Sequence, residues 1–168
     1  MNPSSGVSSP PAPARSDAAI DVFPAQSSWP GLAQASSAFG VALDDEALQR
    51  FATYRALLLD RNAQFNLTAI REPHEIERRL FLDALAMVPT LDRVGNSRPA
   101  RSVRLVDVGA GAGFPGLALK IARPHLDVSL IDATAKKVAF LNDVIARLDL
   151  DHTRAVHARA EDIGRNPA

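Results

Sequence analysis

The chain has 168 residues, and its 19 basic side chains (Lys and Arg) balance its 19 acidic ones. This length predicts one domain with an accessory segment, and the balanced charge favours no particular class of partner. The sequence contains no cysteine, which excludes disulfides, thiolate nucleophiles and cysteine-ligated zinc. It also lacks a metal-ligand spacing among its four histidines, a membrane-length apolar stretch and a secretory signal. We therefore expect a cytoplasmic protein without a metal site.

Residues 1–42 are rich in Ser, Pro and Ala and lack apolar periodicity. We expect this segment to be a disordered tail. Order is predicted to begin near Asp44, a favourable N-cap, and residues 43–100 to form an N-terminal helical segment. The first helix of that segment spans 45–61, and its apolar residues share one side because they recur at three- and four-residue steps. They are Leu48, Phe51 and Leu58.

A second helix is predicted to begin at Pro73, because proline fits the first turn of a helix. Residues 62–72 form the loop before this helix, and residues 91–101 form a linker after it. Arginine is frequent from Arg50 to Arg104, and we interpret this stretch as a solvated helical surface rather than as a phosphate-binding face. The apolar face of the second helix is formed by Ile76, Leu80, Ala84 and Met87.

Residues 101–168 alternate between strand and helix patterns. This alternation predicts an α/β fold, in which a parallel sheet with right-handed crossovers follows the N-terminal helices. In such sheets, ligands bind beyond the carboxyl ends of the strands. The predicted strands are 103–108, 127–132 and 153–158, and the predicted helices are 115–123 and 135–149.

The predicted sheet is small, because natural open sheets of this type have about five or six strands. We therefore expect the sheet to continue through another chain or through residues that this chain lacks. Without such a continuation, the strand at 103–108 would be an edge strand with uncovered hydrogen-bonding groups.

A glycine-rich segment, residues 107–116, follows the first predicted strand and reads D-V-G-A-G-A-G-F-P-G. Glycine allows a sharp turn and a close approach of backbone amides to a ligand, and the helix N-terminus beside it favours an anionic group. From Gly111 onwards the segment matches G-x-G-x-x-G, the dinucleotide fingerprint. Asp132 ends the second strand, where a carboxylate would accept hydrogen bonds from ribose hydroxyls. The alternative is a glycine-rich turn that binds nothing.

Three features favour S-adenosylmethionine over NAD. Gly109 adds an earlier glycine, giving D-x-G-x-G-x-G, whose amides would hold the amino-acid part of that cofactor. Glu161 and nearby backbone amides follow the third strand, where they would meet the edge of an adenine. Lys136 and Lys137 begin the next helix beside Asp132, although simple solvation explains this pair equally well.

Several motifs occur in order between about residues 45 and 163. They are N-L-T at 66–68, L-D at 82–83, D-V-G-A-G-A-G-F-P-G at 107–116, L-I-D-A-T-A-K-K-V-A-F-L at 130–141 and R-A-E-D at 159–162. Together they resemble the bacterial 16S ribosomal RNA methyltransferase G family, also called glucose-inhibited division protein B. The glycine-rich segment and K-K-V-x-F-L are the specific part of this resemblance.

The resemblance implies a Rossmann-like methyltransferase sheet, partial here, preceded by helices. It implies methyl transfer from S-adenosylmethionine to N7 of a guanine in 16S ribosomal RNA, as naked RNA or within the small ribosomal subunit, and we expect a monomer. N7 carries an in-plane lone pair, so no general base is needed and we name no catalytic residue. The predicted cofactor contacts are Gly109, Phe114, Ala160 and Glu161 from the resemblance, with Gly111, Gly113 and Asp132 from the loop pattern.

Two departures from the family pattern stand out. Leu80 occupies a position where the family helix usually has His, and the family's C-terminal half is missing, so we expect a C-terminally shortened member. Asn66 or Arg79 would be candidates for placing RNA, but both are explained more simply as ordinary surface residues. The alternatives are an inactive or binding-only fragment of the same fold and, with less support, an NAD-dependent oxidoreductase module.

Overall fold

The computed structural model describes residues 30–96 and 103–164. Within these ranges, no helix is both long and apolar enough to cross a membrane. The N-terminal helices are α1 (Leu32–Ser37), α2 (Asp45–Gln64), α3 (Pro73–Ile76), a π-helical segment (Glu77–Phe81), α4 (Leu82–Leu85) and α5 (Val88–Asn96). The following elements are β1 (Arg104–Val108), α6 (Gly116–Ala122), β2 (Asp127–Asp132), α7 (Ala135–Arg147), β3 (Thr153–His157) and α8 (Ala160–Gly164).

The three strands form one parallel sheet in the order β1-β2-β3. Right-handed crossovers in this order place α6 and α7 on the same face of the sheet. Asp107 and Leu130 are buried on that face, against α6. The opposite face leaves Val106 57% exposed and Val108 58% exposed. The prediction of a partial Rossmann-like sheet preceded by helices is therefore confirmed.

Helix α2 begins as predicted. The Asp44 carboxylate accepts a hydrogen bond from the Ala47 amide (2.8 Å), which caps the helix. The helix continues to Gln64, beyond the predicted end at residue 61. Its buried side contains the predicted Phe51 and Leu58, whereas Leu48 is only partly buried. Tyr54, which the apolar pattern did not include, is fully buried between them.

Order begins earlier than predicted, so the expected tail at 1–42 is wrong for residues 30–42. Leu32 and Val41 are buried, and the Ser36 hydroxyl donates a hydrogen bond to the Val41 carbonyl (2.9 Å). A helix of six residues is too short for an apolar period to show in the sequence. Residues 1–29 lie outside the described residues.

The π-helical segment corrects the predicted face of the second helix. It adds one residue to the turn, so the side chain buried after Ile76 is Phe81 rather than the partly buried Leu80. The shift persists in the residues that follow. Val88 is fully buried and the predicted core residue Met87 is 47% exposed, whereas the predicted Ala84 is buried together with Leu85.

The predicted linker at 91–101 is wrong for residues 91–96, which belong to α5. Arg123, at the end of α6, holds this helix through two hydrogen bonds to the Asp92 carboxylate (2.8 and 2.7 Å). This long-range ion pair stabilises a helix that Gly95 alone would disfavour. Residues 97–102 lie outside the described residues.

Gly116 joins the glycine-rich segment to α6, and replacing it by alanine should destabilise the protein. An added Cβ would lie 2.4 Å from Leu130 Cδ2 and 2.8 Å from Asp107 Oδ2. We expect the free energy of unfolding in urea to fall by about 1–3 kcal/mol, as for other overpacked cores. Gly164→Ala is the control, because its Cβ would enter open space. Equal losses in the two variants would contradict the steric argument.

Candidate functional site

The glycine loop (residues 107–116) is held over the end of β2 by hydrogen bonds. The amides of Gly109 and Ala110 both donate to the Ile131 carbonyl, at 2.8 and 3.0 Å. The Gly111 amide donates to Asp132 Oδ2 at 2.9 Å. Gly109 and Gly111 have φ angles of +77° and +58°, which favour glycine. The loop conformation therefore depends on both the glycines and the carboxyl end of β2.

These bonds bear on the prediction that loop amides hold the amino-acid part of a cofactor. The amides of Gly109 and Gly111 are used within the protein, and the Gly113 amide donates to the Ala110 carbonyl at 2.7 Å. However, a Cβ added to Gly109 would meet no atom within 4 Å. A ligand can therefore approach the backbone at Gly109 closely, although its amide already has an acceptor.

A pocket of about 250 Å³ opens beside this loop, beyond the carboxyl ends of all three strands. This is the position at which ligands bind in open parallel sheets. The structure brings four of the seven predicted cofactor residues into its lining: Gly109, Asp132, Ala160 and Glu161. The other lining residues are Val108, Ile131, Ala133, Ala158 and Arg159.

Sequence reasoning did not select Val108, Ile131, Ala133 or Ala158. Each is the last residue of a strand or lies within two residues of a strand's end. The predicted ends of the strands could therefore have indicated them as pocket residues. His157 adds a further contact, because its Nε2 lies 3.0 Å from the Ala133 carbonyl oxygen.

Gly113 and Phe114 do not line the pocket but pack against the N-terminal helices. A Cβ at Gly113 would lie 2.5 Å from Leu117 Cδ1 and 2.6 Å from the Tyr54 hydroxyl oxygen. The Phe114 ring stacks on the Tyr54 ring with centroids 5.4 Å apart, and it also contacts Phe81 at 5.7 Å. The C-terminal part of the loop is thus fixed by an aromatic cluster.

Tyr54 connects α2 directly to the glycine loop. Its buried hydroxyl donates a hydrogen bond to the Ala112 carbonyl. Burial raises the pKa of this hydroxyl, and the nearby Asp107 carboxylate raises it further, so Tyr54 remains a donor. Its sequence signal was its position three residues after Phe51, on the apolar side of α2.

The two carboxylates near the loop differ in their environments. Burial raises the pKa of Asp107, and the hydrogen bond from the Gly116 amide opposes this only in part. Burial would also raise the pKa of Asp132, but hydrogen bonds from the amides of Thr134 (2.8 Å) and Gly111 outweigh it and lower the pKa. The surroundings therefore favour the ionised form of Asp132 more strongly than that of Asp107.

Asp132 retains capacity to bind a ligand. An ionised carboxylate offers about four lone-pair directions. The two backbone amides use one on each oxygen, and the Thr134 side chain also donates a hydrogen bond to this carboxylate. The Lys137 ammonium lies 4.0 Å from Asp132 Oδ2, at the limit of an ion pair. Lys136 points elsewhere, with its ammonium 5.5 Å from the centroid of the Phe65 ring. The two lysines therefore lie at different sites, Lys137 near Asp132 and Lys136 near Phe65.

The candidates for placing RNA lie outside this pocket. Asn66 accepts a hydrogen bond from Arg71 (3.2 Å), and Arg79 lies 3.8 Å from a Glu75 carboxylate oxygen. Leu80 is partly buried against the core. The N-L-T loop is instead fixed by Asn62, whose side-chain oxygen accepts from the Thr68 amide (2.9 Å). Over residues 30–96 and 103–164, no cluster of three or more His, Asp or Glu side chains could hold a metal ion.

Comparisons with known proteins match this chain to one family. The family model GidB, described as rRNA small subunit methyltransferase G, matches residues 47–168. The protein named ribosomal RNA small subunit methyltransferase G of Acetivibrio thermocellus is 43% identical over 136 residues, covering 81% of this chain and 53% of that protein. The proteins of the same name from Leuconostoc citreum and Roseiflexus castenholzii are each 43% identical, covering 77% and 81% of this chain and 52% and 55% of their own lengths. The chain therefore spans about half the length of the curated relatives it matches.

Replacing Tyr54 by phenylalanine should keep the ring stack but leave the Ala112 carbonyl, which is buried, without its donor. We expect the free energy of unfolding to fall by about 1–3 kcal/mol, the cost of an unsatisfied buried polar group. Thr53→Val is the control, because it removes a more exposed hydroxyl from the same helix and should change stability by less than about 0.5 kcal/mol. Similar losses in the two variants would show that the Tyr54 hydroxyl does not hold the loop.

Protonation of Asp132 should lower the free energy of unfolding in acid. Its folded-state pKa lies below the ordinary 3.8, so its contribution is complete above that value and is lost as pH falls through the folded pKa. Asp132→Asn should therefore lower the free energy of unfolding at pH 7 and reduce its decline below about pH 4, measured by urea titration.

Asp107→Asn should change the acid decline of the free energy of unfolding in the opposite direction, because the folded-state pKa of Asp107 is raised. In the unmodified protein this group gains a proton more readily when folded, which offsets part of the acid destabilisation. Its removal should make the decline in acid steeper. A shallower decline in both variants would contradict the assignment of the two carboxylates.

Proposed function

Because the chain belongs to the rRNA small subunit methyltransferase G (GidB) family, we propose that it binds S-adenosylmethionine and serves methyl transfer to N7 of a guanine in 16S ribosomal RNA. The observation that carries this proposal is the pocket at the carboxyl ends of the strands, where Asp132 at the end of β2 and Glu161 in the first turn of α8 both line the wall. The proposed partner is 16S ribosomal RNA, naked or within the small ribosomal subunit. The proposed setting is the cytoplasm, with the chain acting as a monomer.

Different residues of the pocket would contact the ribose, the adenine and the amino-acid part of the cofactor. The unused lone pairs of Asp132 would accept hydrogen bonds from the ribose hydroxyls. Ala160 and Glu161, at the start of α8, would meet the adenine edge through a backbone amide and a carboxylate. The open side of Gly109 leaves room for the amino-acid part beside the loop backbone.

The other three predicted cofactor contacts, Gly111, Gly113 and Phe114, do not line the pocket. Gly111 has only the Gly109 carbonyl oxygen near its missing Cβ, at 3.7 Å, so it is open in the same way as Gly109. Gly113 and Phe114 face the aromatic cluster, and as cofactor contacts they stay predictions from the family resemblance. We propose that these two residues act by fixing the loop.

The chemistry requires orientation more than proton transfer. When bound, S-adenosylmethionine supplies an electrophilic methyl group on a sulfonium centre. Guanine N7 offers an in-plane lone pair, so the protein needs no general base. Its own residues would contribute by holding the reactants in line, which can lower a barrier by about 7–11 kcal/mol. We therefore propose no catalytic residue.

A second candidate is a chain that binds the cofactor without transferring the methyl group. Val106 and Val108 of β1 are more than half exposed on the sheet face opposite α6 and α7, whereas Ile131 of β2 is buried on the same face. The chain also spans about half the length of its relatives. Because of these two observations, cofactor binding and methyl transfer by these 168 residues are tested separately.

Titration calorimetry with S-adenosylmethionine tests the binding step. We expect saturable binding that weakens about tenfold or more in Glu161→Gln, since a hydrogen bond to a charged group contributes about 1.5–3 kcal/mol. Asp162→Asn is the control, because it removes the next acidic side chain on α8, which does not line the pocket. Equal effects of the two substitutions, or tighter binding of NADH than of S-adenosylmethionine, would contradict the cofactor assignment.

Transfer of a tritiated methyl group to small-subunit RNA, with 7-methylguanine identified in the hydrolysate, tests the reaction. Label in 7-methylguanine would support the full activity. Cofactor binding without transfer to naked RNA or to small subunits would favour the binding-only candidate. Label on another base would overturn the N7 assignment.

A further inference from the structure

A second, smaller pocket lies between the end of α2 and the start of α7. It has a volume of about 150 Å³ and is lined by Arg61, Phe65, Lys136, Ala139 and Phe140, and we name it the Phe65 pocket. It is smaller than the pocket of about 250 Å³ at the strand ends, and it has room for a single ring system.

The walls of the Phe65 pocket combine an aromatic surface with a cation. The Phe65 side chain is 37% exposed, whereas Phe140 is buried and closes the floor. The Lys136 ammonium lies 5.5 Å from the centroid of the Phe65 ring. Proteins that bind single-stranded nucleic acid use this combination, because a base stacks on the ring and the cation contacts a phosphate.

Charge supports a nucleic-acid occupant. Over residues 30–96 and 103–164, Lys136 has no acidic oxygen within ion-pair distance. By contrast, Arg61 in the pocket wall pairs with Asp143 (3.5 Å). On the N-terminal helices, Arg55 pairs with Glu77, and Arg78 and Arg79 pair with Glu75. An uncompensated cation beside an exposed ring favours an anionic, flat ligand.

The Phe65 pocket also lies close to the proposed cofactor site. Lys136 is followed by Lys137, which approaches Asp132 to 4.0 Å, and Asp132 and Ala133 line the larger pocket. Both pockets thus lie at the edge of the sheet where the strands end. An RNA strand that brings its target base to the cofactor at the mouth of the larger pocket would pass Phe65 with a neighbouring nucleotide.

We propose that the Phe65 pocket binds one nucleobase of the RNA substrate, stacked on Phe65, with Lys136 contacting an adjacent phosphate. The proposal rests on the proposed function, because it takes the substrate to be RNA. It assigns recognition to the N-terminal helical segment and the first turn of α7 together. Neither the N-L-T motif nor the lysine pair alone indicated this arrangement.

Fluorescence anisotropy with a labelled single-stranded fragment of small-subunit RNA tests the proposal on the full chain. Phe65→Ala should weaken binding at least about fivefold, and Phe65→Trp should restore it, because stacking needs only an aromatic face. Lys136→Gln should weaken binding and reduce the slope of log affinity against log salt by about 0.7, as expected for the loss of one phosphate contact on a single strand.

The controls match each substitution in kind. Met87→Ala removes an exposed apolar side chain, and Arg154→Gln removes an exposed cation on β3. Both should leave RNA affinity unchanged within twofold. The melting temperature of every variant should match that of the unmodified chain. Calorimetry should also show unchanged binding of S-adenosylmethionine, because neither Phe65 nor Lys136 lines the cofactor pocket.

The outcomes separate this inference from the proposed function. If S-adenosylmethionine and RNA both bind and Phe65→Ala has no effect on RNA, the pocket assignment is overturned and the function stands. If the cofactor binds but the RNA does not, the assignment is also overturned for this chain. If small subunits bind through Phe65 while naked RNA does not, the assignment to a base of single-stranded RNA is overturned, and the occupant is a feature of the assembled particle. Absence of cofactor binding would refute the proposed function whatever the RNA titration shows.

Discussion

The carboxyl end of β2 is the point from which the glycine loop is held. The Ile131 carbonyl accepts from the amides of Gly109 and Ala110, and the Asp132 carboxylate accepts from those of Gly111 and Thr134. These bonds satisfy backbone donors that the sharp turn would otherwise leave without partners. They also favour the ionised form of Asp132 at the mouth of the larger pocket. The same carboxylate thus supports the loop and presents free lone pairs to a ligand.

The glycines of the loop serve two different physical requirements. Gly109 and Gly111 adopt positive φ angles and face open space, which suits the approach of a ligand. Gly113 and Gly116 have no room for a side chain, because Tyr54, Leu117 and Leu130 pack against them. One sequence motif therefore specifies both a binding surface and the junction between the sheet and the helices. A motif alone does not separate these two requirements.

Sequence patterns predicted the sheet well, because short apolar runs bounded by turns fix strand positions, and parallel strands bring their carboxyl ends together. Asp132, selected at the end of a predicted strand, and Gly109, Ala160 and Glu161, selected from the family resemblance, lie around one pocket. The errors came from effects that local patterns do not contain. Helix α1 is too short to show a period, α5 depends on a distant ion pair, and Tyr54 acts on a loop far along the chain. The Phe65 pocket likewise needs two segments that meet only in the folded protein.

The π-helical segment has a consequence for how this chain tolerates change in length. Its extra residue turns Phe81 inward, where the ring contacts Phe51, Tyr54 and Phe114. Deleting one residue between Glu77 and Phe81 would restore a regular α-helix and place Phe81 four residues after Ile76, on nearly the same face as before. The aromatic cluster and the packing of α4 would therefore be kept. A one-residue deletion between Phe51 and Leu58, in the regular helix α2, would instead rotate the later residues by about 100° and turn part of its buried side outward.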